Sequence, residues 1–209
     1  MCIYNFITEQ NIEELVETSW ISVKDKVENG HPLSSEKTLV FMFALEITKR
    51  INNENFIIDF ENRCYDDLGG ESKYLDLLFY TDVSYKVAIE FKLPKKSNRG
   101  NSNHTQTRKS VYRDLARLKY LKDADNNFKA GYFLMAIDED SYLNNRNIRN
   151  NLDYITRQNH NIQPNNNLTV NNLSLSGISC EFNWMLIEEV TPGRFRHTGR
   201  FAWLSKIRV

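Results

Sequence analysis

Two apolar segments, each interrupted by a single carboxylate, constrain this chain more than any other feature. Tyr74-Leu75-Asp76-Leu77-Leu78-Phe79-Tyr80 and Tyr85-Lys86-Val87-Ala88-Ile89-Glu90-Phe91-Lys92 are short, rich in aromatic and branched residues, and separated by a polar turn at 82–84. Such a pair reads as neighbouring β-strands. Side chains alternate across a strand, so Tyr85, Val87, Ile89 and Phe91 share one face, while Ala88, Glu90 and Lys92 share the other with Lys86. Asp76 opposes Leu75, Leu77 and Phe79 in the same way. Folded as a hairpin, the segments bring Asp76 and Glu90 together away from the apolar stripe, with Lys92 aimed at the same spot.

Carboxylates so placed repel, and a pKa rises unless a cation sits between them. A hard cation such as Mg2+ relieves the repulsion and takes carboxylates, water and phosphate as ligands. An ammonium beside it suits orienting an attacking water and neutralising a phosphoryl oxygen. The set therefore suits phosphodiester hydrolysis. An acid followed 14 residues later by Glu-x-Lys is common by chance; the strand context and the basic helix that follows sharpen it. The plain alternative is a surface salt bridge to Lys92, worth little energy.

The rest of the chain supports one α/β domain of 209 residues. Residues 9–28 carry Ile12, Leu15, Val16, Ser19 and Val23 at helical spacing, and Ser34 or Ser35 caps a second helix over 36–51 with Glu46 on its interior side. Strands are expected at Phe56–Phe60, Lys73–Thr81, Tyr85–Lys92, Ala130–Asp138 and Phe182–Val190, with Arg200–Val209 pairing back and a helix over 105–122. Twelve of the 29 residues in 144–172 are Asn, which reads as a loop-rich insertion with at most a short helix around Ile148–Tyr154. Cys2, Cys64 and Cys180 form neither a disulfide framework nor a zinc motif, and the four histidines show no metal spacing. The chain shows no apolar run long enough to span a membrane and no signal-like start, so no membrane partner and a cytoplasmic location are the default expectations.

The net charge of zero conceals an asymmetry. Residues 1–85 hold 7 basic and 16 acidic side chains, whereas residues 86–122 hold 11 basic and 2 acidic, Glu90 and Asp114. A concentrated basic stretch can hold a polyanion even in a neutral protein, although a solvated helix face is the bland reading. Lys95, Lys96, Arg99, Arg108, Lys109, Arg113 and Arg117 are the candidate phosphate contacts. Asp114 reads as a structural partner of Arg117 or Arg108.

At Asp76 and Glu90-Phe91-Lys92 the chain resembles the PD-(D/E)XK nuclease superfamily, whose fold is restriction-endonuclease-like. Leu75 stands where a proline usually precedes the first acid, while the (D/E)-x-K part is matched in full. The order helix, three strands, helix, strand also resembles the family core, over about 36–138 with 182–190 added. The resemblance implies a mixed central β-sheet flanked by helices. It implies Mg2+, with Mn2+ able to substitute, held by Asp76, Glu90 and the backbone carbonyl of Phe91, with Lys92 assisting the attacking water. Many members add an upstream helical acid; Glu46 is the position that looks similar, with Asp59 and Glu61 as alternatives. Some branches carry Gln-x-x-x-Tyr on the next helix; here Gln106 is followed by Ser110 at that offset and Tyr112 comes two later, a departure that argues against a processive exonuclease.

The leading expectation is a metal-dependent DNA endonuclease, restriction-like or phage-defensive, acting on double-stranded DNA as a homodimer. The Asn- and Arg-containing insertion is a possible groove reader. A non-catalytic nucleic-acid-binding or interaction module on the same fold is the alternative. An RNA substrate stays open, and a glycosidase acid pair is formally possible.

Overall fold

The computed structural model describes residues 2–68, 73–94, 104–143, 154–185 and 201–209. Helix α1 (Ile12–Glu28) buries Ile12, Leu15, Val16, Ser19, Trp20, Val23 and Val27, one stripe at helical spacing. Helix α2 (Glu36–Thr48) starts at Ser35, whose hydroxyl accepts a hydrogen bond from the Thr38 N–H. Three strands follow, β1 (Ile57–Arg63), β2 (Tyr74–Tyr80) and β3 (Lys86–Lys92). Helix α3 (His104–Ala124) then leads to β4 (Phe128–Ile137).

β1, β2 and β3 form an antiparallel meander, and β4 pairs parallel to β3 because α3 carries the chain back across the sheet. The C-terminus pairs back as expected: β10 (Ala202–Leu204) and β11 (Ile207–Arg208) both lie antiparallel to β4. The sheet runs β1-β2-β3-β4-β10-β9, where β9 is Trp184–Met185. This is an α/β fold with a mixed central sheet covered by helices.

Each sheet face has its own core. On one, α1 and α2 pack over Leu77, Phe79, Val87, Ile89 and Phe91, with Trp20 edge-on to Trp203 at 4.9 Å. On the other, α3 packs over Ala88, Phe133 and Met135. Covered on both sides, β3 is buried along its interior, as central strands of layered α/β sheets are. α3 approaches β4 closely at Gly131, where a side-chain methyl would meet Leu118 Cβ at 3.2 Å.

The described part of the Asn-rich region is a cover for α3. Its short strands β5 (His160–Ile162), β6 (Thr169–Val170), β7 (Leu173–Ser174) and β8 (Cys180–Phe182) form two ribbons. Ile162, Val170, Leu175, Ile178 and Phe182 are buried against the second core. The Tyr112 hydroxyl donates to the Ile155 carbonyl and accepts from the Ile155 N–H. The described part, 154–182, is loop-rich, with four strands of two or three residues, and is packed as a layer on α3; the short helix expected over 148–154 falls almost wholly on residues 144–153, outside the described residues. The single strand expected over Phe182–Val190 is two where described, because the chain changes partner at Asn183, from β5 to β10. Residues 186–190 lie outside the described part.

Candidate active site

The β2–β3 ladder runs Phe79↔Val87, Leu78↔Ala88, Leu77↔Ile89. Continuing that register places Asp76 opposite Glu90, and there the backbone ladder gives way to side chains. The Phe91 N–H donates to Asp76 Oδ2 at 2.7 Å. β1 is distorted at the same level: Glu61, opposite Asp76 in the β1–β2 register, has φ +53°. A non-glycine residue in the left-handed region inside a strand marks local strain and re-aims the residues after it. Asp59 before the kink and Asn62 and Cys64 after it line one cavity of about 480 Å³ on the α3 side of the sheet.

Glu90 is buried, 2% exposed. The Tyr65 hydroxyl donates to its Oε1 at 3.0 Å, and Arg117 Nη2 lies 3.5 Å from the same oxygen. The Arg117 guanidinium sits 3.9 Å above the Tyr65 ring and donates to the Tyr74 carbonyl at 2.6 Å. Lys92 Nζ makes an ion pair with Asp114 Oδ2 at 2.7 Å and donates to the Phe91 carbonyl at 3.2 Å. From the first turn of α2, Glu36 Oε2 accepts the Leu93 N–H at 2.9 Å. The structure therefore brings together Asp76, Glu90, Lys92 and the Phe91 backbone, and adds Glu36, Asp114, Tyr65 and Arg117.

Charge in this cluster is unevenly matched. Glu36, Asp76, Glu90 and Asp114 face Lys92, Arg117 and the more exposed Arg113, whose Nε is 3.2 Å from Asp114. Burial pushes the Glu36 and Asp76 carboxyls up from their ordinary values. Glu90 is driven well above its own by burial and by the negative charge of Asp114 and Asp76. Asp76 and Glu90, facing each other across β2 and β3, are thus both disfavoured as anions. Burial alone would lower the Lys92 pKa, but Asp114 and Glu36 raise it, so the ammonium stays charged.

Glu46 does not join this site. On the same helix, Glu36 and Glu46 are ten residues apart, which is about 15 Å of rise. Glu46 lies at the α1 side of the helix, bound by Lys26, by Lys49 at 2.8 Å and by Arg50 at 2.9 Å. The α2 acid whose charge acts on Lys92 is Glu36, at the opposite end of the helix. Of the alternatives, Asp59 accepts from Asn62 and the exposed Glu61 pairs with Lys37.

Two expected phosphate contacts turn inward. Arg108 is buried, donates to the Ser141 carbonyl and lies over the Tyr142 ring; Arg117 serves Glu90 and Tyr65. Both lie on the side of α3 that packs against the protein, so their charge is spent on internal acceptors. Lys109 and Arg113 are partly exposed, while Lys95, Lys96 and Arg99 lie outside the described residues. Tyr112 is fully buried under residues 154–182, so it offers nothing to a substrate.

A first-turn acid behind a serine cap was the readable signal for Glu36, and an acid on an apolar stripe was the signal for Asp114. Tyr65 carried none. Among the described residues, no three His, Cys, Asp or Glu side chains form a ready-made metal cage, and no helix is long and apolar enough to cross a membrane. No family model matches the chain, and neither the curated proteins nor the solved structures searched contain a match.

Proposed function

We propose that this chain is a divalent-metal-dependent DNA endonuclease with a restriction-endonuclease-like core. The observation that carries the reading is the Asp76–Glu90 pair, brought opposite one another by the β2–β3 register, with Asp76 tied to β3 by the Phe91 N–H and the Lys92 ammonium beside it. Two acids held side by side repel unless a cation sits between them, and the donors suit a hard one: two carboxyl groups and the Phe91 carbonyl. Mg2+ keeps several waters and commonly takes one or two carboxylates plus substrate phosphate, so an all-side-chain cage is not required. Asp76, Glu90 and the Phe91 carbonyl would hold the metal, with Mn2+ as a substitute. When bound, it supplies Lewis-acid stabilisation of the phosphoryl oxygens and a more acidic attacking water.

The chain's own residues supply the rest. Tyr65 and Arg117 hold Glu90 by one oxygen and so orient its carboxyl group. Lys92 stays cationic, suited to holding the attacking water and to countering charge that develops on the phosphoryl group. Glu36 ties the exit of β3 to the start of α2 through the Leu93 N–H. Lys109 and Arg113 are the described candidates for backbone phosphates. Double-stranded DNA read by two copies of the chain is the proposed substrate arrangement.

Incubation of plasmid DNA with Mg2+ tests the reading. Nicked or linear product is expected from the wild type, and none from Glu90→Ala or Lys92→Ala proteins that still melt cooperatively. Folded protein that leaves every DNA intact refutes it, and salt-dependent DNA binding without metal-dependent cutting would favour the non-catalytic module instead. Binding can be scored apart from cutting: Ca2+ at a hundredfold over its Kd should stabilise the wild type by about 2.7 kcal/mol, and should not stabilise Asp76→Asn.

A further inference from the structure

Asp114 projects from α3 among Val111, Leu115 and Leu118, all of them buried, and is itself 0% exposed. An apolar residue would suit that position for packing. Burying a carboxylate costs several kcal/mol before its partners compensate, and such ion clusters seldom add net stability. Three cations nevertheless converge on Asp114: Lys92 at 2.7 Å, Arg113 at 3.2 Å and Arg117 at 3.5 Å. The shortest of these contacts crosses from α3 to β3 and ends on a lysine whose own strand gives it one further partner, the Phe91 carbonyl at 3.2 Å.

A lysine has a flexible four-carbon stem and no preferred fork geometry, so its position is set by what holds its end. Here that is a carboxylate on a different element, 22 residues along the chain. We infer that Asp114 is a positioning residue: from α3 it fixes the Lys92 ammonium against the Phe91 carbonyl, while its bonds to Arg113 and Arg117 keep it from following Lys92. Because Arg117 also engages Glu90, one turn of α3 sets the position of both the lysine and the acid. The role of Lys92 rests on the nuclease reading, whereas the contact itself does not.

Asp114→Asn keeps the shape and removes the charge. In the full-length protein with Mg2+ and plasmid, its kcat is expected to fall about a hundredfold with KM within about twofold, and Asp114→Glu should recover part of the loss. Without metal or DNA, at one fixed pH, Lys92 should label with an amine-reactive reagent about fivefold faster, relative to the exposed Lys129, in Asp114→Asn than in the wild type. Wild-type kcat in a folded Asp114→Asn protein, or unchanged Lys92 labelling, overturns the assignment. Should Asp114→Asn fail to fold, Asp114→Glu decides: reduced kcat at unchanged KM supports the role and wild-type kcat overturns it. If the wild type cuts no nucleic acid, the nuclease reading is lost, and the labelling comparison alone judges Asp114, faster labelling upholding the positioning contact and unchanged labelling refuting it.

Discussion

Glu46 and Glu90 are both buried acids, 4% and 2% exposed, yet their surroundings push them in opposite directions. Around Glu46, burial is outweighed by hydrogen bonds from Lys26, Lys49 and Arg50, which draw the carboxyl down to about 2. Around Glu90, burial acts together with Asp114 and Asp76, and Arg117 and Lys92 do not overcome them. The first cluster has more positive than negative partners and is complete as it stands. The second has an excess of acid, four carboxyls against three cations, which an added cation would offset. Burial therefore does not separate a structural carboxylate from a chemical one; the balance of charge around it does.

The largest expected difference between the two clusters is in catalysis. Asp76→Asn should cost on the order of a thousandfold in DNA cleavage, whereas Glu46→Gln should stay near the wild-type rate, both read by plasmid nicking with Mg2+. Equal losses would erase the distinction. Stability should show the reverse order. Glu46→Ala takes the ion-pair carboxylate from buried Arg50 and leaves it hydrogen bonds to Ser22 and to main-chain carbonyls, so urea unfolding should show a loss of about 3 kcal/mol, while Glu90→Gln, which removes a disfavoured charge, should lose far less at neutral pH. The pH dependence sharpens the contrast. Glu46, depressed in the folded state, stabilises the protein above the ordinary glutamate value of 4.5, and that contribution fades as pH falls from there toward 2. Glu90, raised in the folded state, favours folding when protonated, so its contribution grows as pH falls from neutral toward 4.5. Thermal melts across pH should thus flatten below 4.5 in Glu46→Gln and above 4.5 in Glu90→Gln. The smallest effect belongs to the exposed Lys37–Glu61 pair: Lys37→Ala should leave the midpoint of the same urea titration unchanged.

Much of this was legible in the sequence where a short-range rule applied. Alternation in Tyr74–Tyr80 and Lys86–Lys92 placed Asp76, Glu90 and Lys92 on one face, and the helical stripe of α1 matches its buried residues. What escaped depended on how elements meet. Glu36 and Glu46 are both helix acids, and only the position of the β3 exit beside the start of α2 selects the first. Arg108 and Arg117 were counted with the basic surface although Arg108 precedes Val111 by three residues, on the stripe that faces the protein; positive charge says nothing about direction. In 154–182 the abundance of Asn obscured a sparse apolar set, Ile162, Val170, Leu175 and Ile178, that covers α3. The Asp114–Lys92 contact joins residues on separate elements, so no local pattern announces it.

The close approach at Gly131 reaches further than packing. The atom nearest an added methyl is Leu118 Cβ, part of the helix stem and not the mobile end of a side chain, so α3 itself would have to lift by a few tenths of an ångström. Leu118 lies one turn beyond Asp114 and next to Arg117. The depth at which α3 rests is therefore also the reach of the two groups that grip Lys92 and Glu90. One missing methyl on β4 acts as the shim that calibrates both grips together, so neither can be retuned through that spacing without disturbing the other.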